Sequence, residues 1–331
     1  MRVRRLFMVL LVILALSILL PTHAPAASYP KLDLKFAYGG PADHQYGGAM
    51  RFLAEKLKEK TAGQITATVF DNWQLGGERD MLEAAQLGTL DAVATSTGPA
   101  GGFVKEVLAV DFPFLFRDSQ HAYKALDGPV GQGILQKFAA KNMIAVCWLE
   151  NGWRQMTNSV RPIRTPEDLK ALKMRTMENE IHVAYFRALG ATAIPMPSPE
   201  LYNALQTKVV DGQENPWTNI WTFKWFEVQK YGSATTHLYS PGILVIGKKT
   251  WDKLPADIQK YVTDLQPQLS SLSREWVRKK DADMVAQLEA KGMQVTQNID
   301  KAPFIKAAEP IYERFGDKVG KELLRQLREA Q

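Results

Sequence analysis

The sequence predicts an α/β fold divided into two lobes. Apolar segments with strand character alternate with amphipathic helical segments, which is typical of a sheet covered by helices. The alternation runs from residue 32 to about residue 150 and begins again near residue 165. About 305 residues remain after an amino-terminal leader is removed, more than one hydrophobic core usually organises. Length and repeated pattern together therefore favour two lobes.

Residues 1–26 have the layout of a secretory signal peptide. Three arginines precede an apolar run at 6–20, and Ala24 and Ala26 provide a small-residue cleavage site. The apolar run is too short to span a bilayer comfortably, so we expect cleavage and export to the periplasm, with an uncleaved anchor as the alternative. Removing the leader lowers the formal net charge from +6 to +3. No basic block with interleaved aromatic residues remains, so a nucleic-acid partner is not expected.

The first half is predicted to alternate strands and helices. A helix with Met50, Leu53 and Leu57 on one face follows the first strand, and Gly88 marks the turn before the third. The lone Cys147 lies in an apolar strand and cannot form an internal disulfide. The predicted strands are 32–39, 64–70, the segment ending at 96, and 143–149, with helices preceding Gly88 and at 122–141.

The second half repeats this plan. Thr165 followed by Pro166 is typical of a helix start. We predict a strand at 172–177 and helices at 180–191 and 199–206. The segment 250–291 is mostly helical in pattern, and Pro267 should kink or restart that helix. At ~1.5 Å per residue, such a helix could reach across both lobes.

An internal echo places polar residues at matching strand ends. Residues 84–96 and 204–215 share a helix end, a short turn, a strand and an Asp at the same place, Asp91 and Asp211. Open α/β sheets bind ligands at the carboxyl ends of their strands. If the echo is more than chance similarity, two lobes offering these edges to one another form a cleft.

No catalytic constellation is present in the sequence. The chain contains no nucleophile elbow, zinc-protease motif, paired cysteines or phosphate loop. We therefore expect a binding protein without a cofactor or metal; a secreted α/β enzyme acting on a small acid is the alternative. The histidines show no ligand spacing: His23, His44, His121, His182 and His237.

Two arginines lie within or next to apolar segments, where a positive charge is unfavourable. Arg175 lies in the strand-like segment LKMRTM, and Arg154 follows an apolar strand where the chain would cross between lobes. A cation in apolar surroundings is costly unless it is paired. Its partner at Arg175 is either an internal acid, Glu178 or Glu180, or the carboxylate of a ligand held by the planar guanidinium.

Several segments, taken in order, resemble the solute-binding proteins of tripartite ATP-independent periplasmic (TRAP) transporters, in the family named for C4-dicarboxylate binding. The resemblance covers nearly the whole mature chain and implies a two-lobed periplasmic-binding-protein-like fold, with a central cleft and a long helix spanning both lobes. The segments are LKFAYG, GQITATVFDNWQLGGERDMLEAAQLGTLDA, FPFLFRD, NGWRQMTNSVRPIRTPEDLKALKMRT, ALGATAIPM, LYNALQTKVVDGQENPW and EVQKY.

The resemblance also implies the site. It makes Arg175 the main carboxylate-binding residue, Arg154 a second cleft arginine and Asn215 the cleft asparagine. It also places Ser96 and Ser198 in the cleft, where sialate-binding relatives have an acidic residue and a large aromatic residue respectively, so sialate is not expected. The other implied ligand contacts are Tyr38, Gly39, Trp153 and Glu178, with Trp73 and Trp217 as aromatic candidates; the aromatic residues suggest a ligand with a ring or an apolar face.

The implied function is capture of a small organic acid and delivery to the membrane permease subunits of a TRAP transporter, with the protein acting as a monomer. A sensor that presents the same closed form to a receptor is an alternative. The predicted boundaries are 1–26 for the signal peptide, 27–151 plus about 241–280 for lobe I, and 152–240 plus about 281–331 for lobe II.

Overall fold

The computed structural model describes residues 29–330, so the predicted signal peptide lies outside the described residues. In this part of the chain the sheet has nine strands: β1 (Leu32–Tyr38), β2 (Ile65–Phe70), β3 (Ala92–Ser96), β4 (Met143–Asn158), β5 (Lys173–Thr176), β6 (Thr192–Pro195), β7 (Gly212–Pro216), β8 (Tyr231–Gly247) and β9 (Gln294–Thr296). Their order is β2-β1-β3-β8-β4-β7-β5-β6, with β9 pairing beside β8.

Helices cover the faces of this sheet. None of the helices in the described residues is both long and apolar enough to cross a membrane. They are α1 (Gln45–Lys60), α2 (Glu78–Leu87), α3 (Thr97–Ala100), α4 (Ser119–Asp127), α5 (Pro129–Gln136), α6 (Glu180–Ala188), α7 (Ser198–Gln206), α8 (Trp217–Thr222), α9 (Lys248–Trp251), α10 (Ala256–Asp264), α11 (Gln266–Asp281), α12 (Met284–Ala290), α13 (Ala302–Val319) and α14 (Lys321–Glu329), with 3-10 turns at Lys105–Asp111, Lys137–Lys141, Pro166–Leu169 and Trp225–Glu227.

Two long antiparallel strands join the two lobes. The amino-terminal half of β4 pairs with the carboxyl-terminal half of β8, which continues onto β3, β1 and β2 in the first lobe. The other half of β4 pairs with β7, which leads to β5 and β6 in the second lobe. The register of β4 against β8 shifts between Glu150 and Gly152, where the halves meet. Gly152 has φ 121°, a conformation that other residues rarely adopt.

The internal echo has a structural counterpart in each lobe. Asp91 precedes β3 and accepts a hydrogen bond from the backbone N–H of Lys35 at 2.7 Å, while Asp211 precedes β7 and accepts one from Lys173 at 2.8 Å. Each carboxylate thus ties its strand to the neighbouring parallel strand. In both lobes a helix starts directly after the strand. Residues near the ends of β3 and β7, Ser96 and Asn215, lie at the same gap between the lobes.

The hydrophobic cores lie on both faces of the sheet. One core, which includes Phe36, Leu53 and Ile258, fills the first lobe beneath α1 and α10. A second, which includes Leu205 and Trp225, fills the second lobe. A third extends across both lobes on the opposite face and takes in Leu327 near the carboxyl terminus. Because this core is shared, the two lobes are not independent bodies on that side.

Helix α11 contacts elements of both lobes: β4, α1 in the first lobe and α8 in the second. Pro267 stands in its first turn, and the preceding helix α10 ends at Asp264. The expectation that this proline restarts the helix is therefore confirmed, because in a first turn the missing N–H of proline costs no helical hydrogen bond.

The structure differs from the sequence predictions at several boundaries. The strand of the second echo segment is Gly212–Pro216, so it continues beyond residue 215 and includes both Glu214 and Asn215. The predicted helix 122–141 is divided at Gly128. Helix α14 packs against α4 and α5 of the first lobe, whereas α13 packs against α6 of the second. The lobe boundaries given above stay a prediction.

Candidate functional site

A small cavity of about 20 Å³ lies between the lobes. Its volume corresponds to roughly one water molecule. Both lobes contribute to its wall, and the crossing strand β4 supplies the residue in the middle. The lining residues are Gly39, His44, Tyr46, Trp73, Glu78 and Ser96 from the first lobe, Asn151 from β4, and Met177, Ser198, Asn215, Asn219, Phe223 and Trp225 from the second lobe.

Arg175 lies on β5 directly behind this wall and is 2% exposed. Its Nε donates to the carbonyl oxygen of Met196 at 2.8 Å, and its Nη2 donates to Ser198 Oγ, which lines the cavity, at 3.2 Å. Its Nη1 is buried without a hydrogen-bond partner. The guanidinium therefore reaches the cavity through Ser198 with part of its donor capacity unused.

No internal acid neutralises Arg175 within the described part of the chain. Of the two candidate partners, Glu180 pairs with Lys318 at 2.6 Å, and Glu178 forms no ion pair with the guanidinium. Burial, together with the positive charge of Arg154, lowers the pKa of Arg175 to about 10. The carboxylates of Glu214, Glu78 and Glu178 act in the opposite direction, but none of them pairs with the guanidinium, so the buried charge has no direct counter-ion.

Arg154 is paired internally instead. Its Nη2 donates to Glu214 Oε1 at 2.8 Å, its Nε donates to Glu214 Oε2, and both side chains are fully buried. His237 Nε2 lies 3.3 Å from the same carboxylate. Burial alone would raise the pKa of Glu214, but the charge of Arg154 and the neighbouring histidines hold it well below its ordinary value. Only Nη1 of Arg154 lacks a partner.

The structure brings five other predicted residues to the cavity wall: Gly39, Trp73, Ser96, Ser198 and Asn215. Ser96 donates through both its backbone N–H and its hydroxyl to Glu78, at 2.7 Å each. Asn215 donates to Gln213 at 2.7 Å and accepts from Asn219 at 3.3 Å. The ends of β3 and β7 therefore present polar side chains to the cavity, as the internal echo predicted.

The remaining predicted contacts lie elsewhere. Tyr38 is buried in the first-lobe core, where its hydroxyl accepts from Arg51 at 3.1 Å. Trp153 donates to Ser119 at 2.9 Å and packs edge-on against Tyr239. Trp217 belongs to the second-lobe core, and Glu178 lines a separate groove beside α6 and α13. Three of the four aromatic residues that suggested a ring-bearing ligand are thus absent from the cavity wall.

Sequence reasoning missed an amide cluster at the centre of the site. Asn219 Nδ2 donates to Asn151 Oδ1 at 2.9 Å, and Gln45 Nε2 donates to Asn219 Oδ1 at 3.1 Å. Asn219 lies on α8 and Asn215 near the end of β7, so no helical spacing in the sequence could have indicated that the two side chains meet. Asn151 and Gln45 carry no local signal, because three distant segments assemble the cluster.

His44 and Glu78 are further cavity residues that the sequence did not single out. Complete burial lowers the pKa of His44 to about 3, so its imidazole is neutral at physiological pH. Its Nδ1 accepts from the backbone N–H of Tyr46 at 3.3 Å and caps α1. Glu78 opens α2 and directs its carboxylate to Ser96. The cavity wall therefore holds one acid, one neutral histidine and several amides.

The lobes touch across the cavity. The rings of Trp73 and Phe223 lie 5.9 Å apart between centroids, and Ser96 Oγ lies 3.4 Å from Met177 Sδ. These pairs join the first lobe to the second. Since a cavity of about 20 Å³ is smaller than any organic acid, a ligand can enter only if these contacts separate.

Within the described residues, no group of three or more His, Cys, Asp or Glu side chains could hold a metal ion. What the arrangement offers is a buried guanidinium with unused donors, acceptor and donor amides, and one carboxylate. Such groups recognise a carboxylate and hydroxyls by hydrogen bonding.

The family model described as bacterial extracellular solute-binding protein, family 7, matches residues 36–318. The chain belongs to this family. A solute-binding protein of Verminephrobacter eiseniae is 45% identical over 288 residues, covering 87% of this chain and 86% of the relative. The resemblance to TRAP solute-binding proteins and the two-lobed α/β fold are both confirmed.

Solved structures of TRAP periplasmic solute-binding proteins superpose closely on this one. A TRAP periplasmic solute-binding protein of Polaromonas, bound to D-erythronate, has a TM-score of 0.89 at 41% identity, covering 91% of this chain and 99% of the other. One from Bordetella, with density assigned to pantoate, has a TM-score of 0.88 at 37% identity, covering 91% and 99%. This family 7 protein thus shares its fold with proteins whose structures contain small organic acids.

Proposed function

We propose that this protein captures a short hydroxylated monocarboxylate between its lobes and delivers it to the permease subunits of a TRAP transporter. In this proposal the mature chain is periplasmic after loss of residues 1–26, acts as a monomer, and binds its ligand without turnover. The observation that carries the proposal is the buried guanidinium of Arg175, which forms no salt bridge within the described residues and leaves Nη1 without a partner.

A ligand carboxylate supplies the missing counter-ion. Arg175 uses two of its donor groups on Met196 and Ser198, and Nη1 is free. A guanidinium presents five N–H donors in a planar fork that matches a carboxylate. A bound carboxylate therefore offsets the cost of keeping this charge away from water. A neutral or cationic ligand would not, so the site is selective for anions.

The charges around the cavity favour one carboxylate over two. Arg154 and Glu214 neutralise each other, which leaves Arg175 as the cation available to a ligand. Glu78 adds a negative charge to the cavity wall. Its oxygens accept hydrogen bonds, so they suit ligand hydroxyls, whereas a second ligand carboxylate facing Glu78 would be repelled. D-erythronate and pantoate, bound by the Polaromonas and Bordetella relatives, are hydroxylated monocarboxylates.

Binding proceeds by opening and closure of the lobes. The contacts between Trp73 and Phe223 and between Ser96 and Met177 must break to admit a ligand and re-form around it. The register shift at Glu150–Gly152 lies where β4 passes between lobes and can absorb this rotation. A ligand that contacts both lobes shifts the population toward the closed form, which the permease then receives.

A thermal-shift and calorimetric panel tests the proposal. D-erythronate and pantoate, each at a hundred times its dissociation constant, should add about 2.7 kcal/mol to the free energy of unfolding. Succinate, with a second carboxylate, should bind at least tenfold more weakly, and Glu78→Gln should reduce that difference. Equal or tighter binding of succinate by the unmodified protein would refute monocarboxylate selectivity; failure of every acid would refute the proposed ligand class.

A further inference from the structure

We propose that Trp73 sets the upper size of the acid that the cleft accepts, and that it makes the protein selective for four-carbon over six-carbon hydroxy acids. This inference rests on the proposed function. Trp73 lines the cavity from the first lobe, and its ring faces Phe223 of the second lobe with 5.9 Å between centroids and 31° between planes. The two rings meet where the lobes close.

The indole is held at this place by its surroundings. It packs against Gly39, and a Cβ at Gly39 would overlap the ring. The turn that carries it is closed by hydrogen bonds, from Gly76 N–H to the Trp73 carbonyl at 3.0 Å and from Asn72 N–H to the Gly40 carbonyl. Trp73 therefore cannot withdraw toward its own lobe without a change in the backbone.

Its partner ring is also fixed. Phe223 stacks on Trp225 at 4.9 Å and lies 5.6 Å from the His44 ring. Trp225 is 2% exposed and belongs to the second-lobe core. Both sides of the aromatic contact are thus supported by packed groups, so a larger ligand must hold the lobes apart rather than push a side chain aside.

The volume of the indole is large relative to the site. The cavity measures about 20 Å³, whereas deleting even a leucine side chain can leave ~150 Å³. Loss of the Trp73 ring would therefore create more room than the present cavity provides. Two additional CHOH groups would fit in that room, which is the difference between a four-carbon and a six-carbon aldonate.

The backbone at Trp73 allows a clean test. Its φ of 61° lies in the left-handed region, which is unfavourable for a bulky residue but suits asparagine and glycine. Trp73→Asn and Trp73→Gly should therefore fold, which thermal unfolding would verify. Trp221→Ala is the matched control, since this half-buried indole also stacks on an aromatic ring, Phe226 at 5.1 Å, but lies outside the cavity.

Isothermal titration with D-erythronate and D-galactonate gives the readout. The unmodified protein should bind erythronate more tightly, and Trp73→Asn should move the ratio of the two dissociation constants at least tenfold toward galactonate, with no such change in Trp221→Ala. An unchanged ratio in a protein that binds erythronate would overturn the inference and leave the proposed function intact. Binding of neither acid by the unmodified protein would overturn the inference, and it would overturn the proposed function as well if pantoate also failed to bind.

Gly39→Ala provides an independent arm. The added methyl group should drive the indole into the cleft and weaken erythronate binding at least tenfold. Combining it with Trp73→Asn should restore most of that loss, because the ring that collides with the methyl group is gone. If the double variant binds as weakly as Gly39→Ala alone, the proposed packing between these residues is wrong.

Discussion

Replacing Arg175 with methionine separates a binding role from a structural one. Methionine matches much of the length of the side chain but carries no charge. Because the guanidinium has no salt-bridge partner among residues 29–330, the substitution removes a buried charge that lacks a direct counter-ion, together with two hydrogen bonds, to Met196 and Ser198. Two such bonds from a charged donor contribute about 3–6 kcal/mol, which is of the same order as the several kcal/mol returned by relieving a buried charge.

Because the two effects are of similar size, the unliganded variant should be about as stable as the unmodified protein. Ligand binding should weaken, since losing one partner of a buried ion pair costs about 2–5 kcal/mol, or roughly 30- to several thousand-fold in affinity. The ligand affinity of Arg175→Lys should lie between those of the unmodified protein and Arg175→Met, because lysine keeps the charge but not the planar fork.

Chemical denaturation without ligand and calorimetry with D-erythronate measure the two effects separately. A loss of 3 kcal/mol or more from the unliganded variant, on the order expected when a buried ion pair is broken, would show that Arg175 supports the fold. Unchanged affinity would show that the carboxylate binds elsewhere. Either result refutes the reasoning.

Three further predictions follow from buried ionisable groups. Arg154→Met should lower the free energy of unfolding by about 3–5 kcal/mol in denaturant titrations, because it strands Glu214; a smaller loss than in Arg175→Met would contradict the assigned roles. Burial raises the pKa of Glu150 from 4.5 to about 7, so the folded state holds this proton more tightly and stability should fall as pH rises from 4.5 through 7. Glu150→Gln should remove this pH dependence. Its free energy of unfolding should exceed that of the unmodified protein by about 3 kcal/mol at pH 8 and equal it at pH 4. Equal stability of the two proteins at pH 8 would argue against a raised pKa at Glu150. Burial raises the pKa of the Cys147 thiol to about 12, so thiol reagents should label it only as fast as the protein unfolds, and rapid labelling under native conditions would show that the strand opens locally.

Much of the fold follows from local pattern. Alternating apolar residues at 32–38 and the helical spacing of Met50, Leu53 and Leu57 each lie within one element, so a short window of sequence suffices to predict them. The restart at Pro267 follows from proline chemistry alone. The echo at Asp91 and Asp211 also has a local cause, since each carboxylate ties the start of its strand to the neighbouring strand.

Arg175 is the site residue that the sequence indicated most directly. A cation between apolar residues in a strand has to be buried, and its two nearby acids were the only local partners available. Glu180 pairs with Lys318 instead, 138 residues away. Whether either acid pairs with Arg175 could therefore be decided only by the tertiary structure.

Contacts between distant segments decided the rest. Arg154 and Glu214 lie 60 residues apart and meet because β4 and β7 are neighbours in the sheet. Trp153 and Trp217 look like Trp73 in sequence, yet packing directs them into cores or against Ser119 while Trp73 reaches the cleft. By itself the sequence determined the elements, the repeated two-lobe plan and a cation in need of an anion. Only the folded chain determined which polar groups satisfy one another, because hydrogen bonding and burial depend on neighbours that lie far apart along the chain.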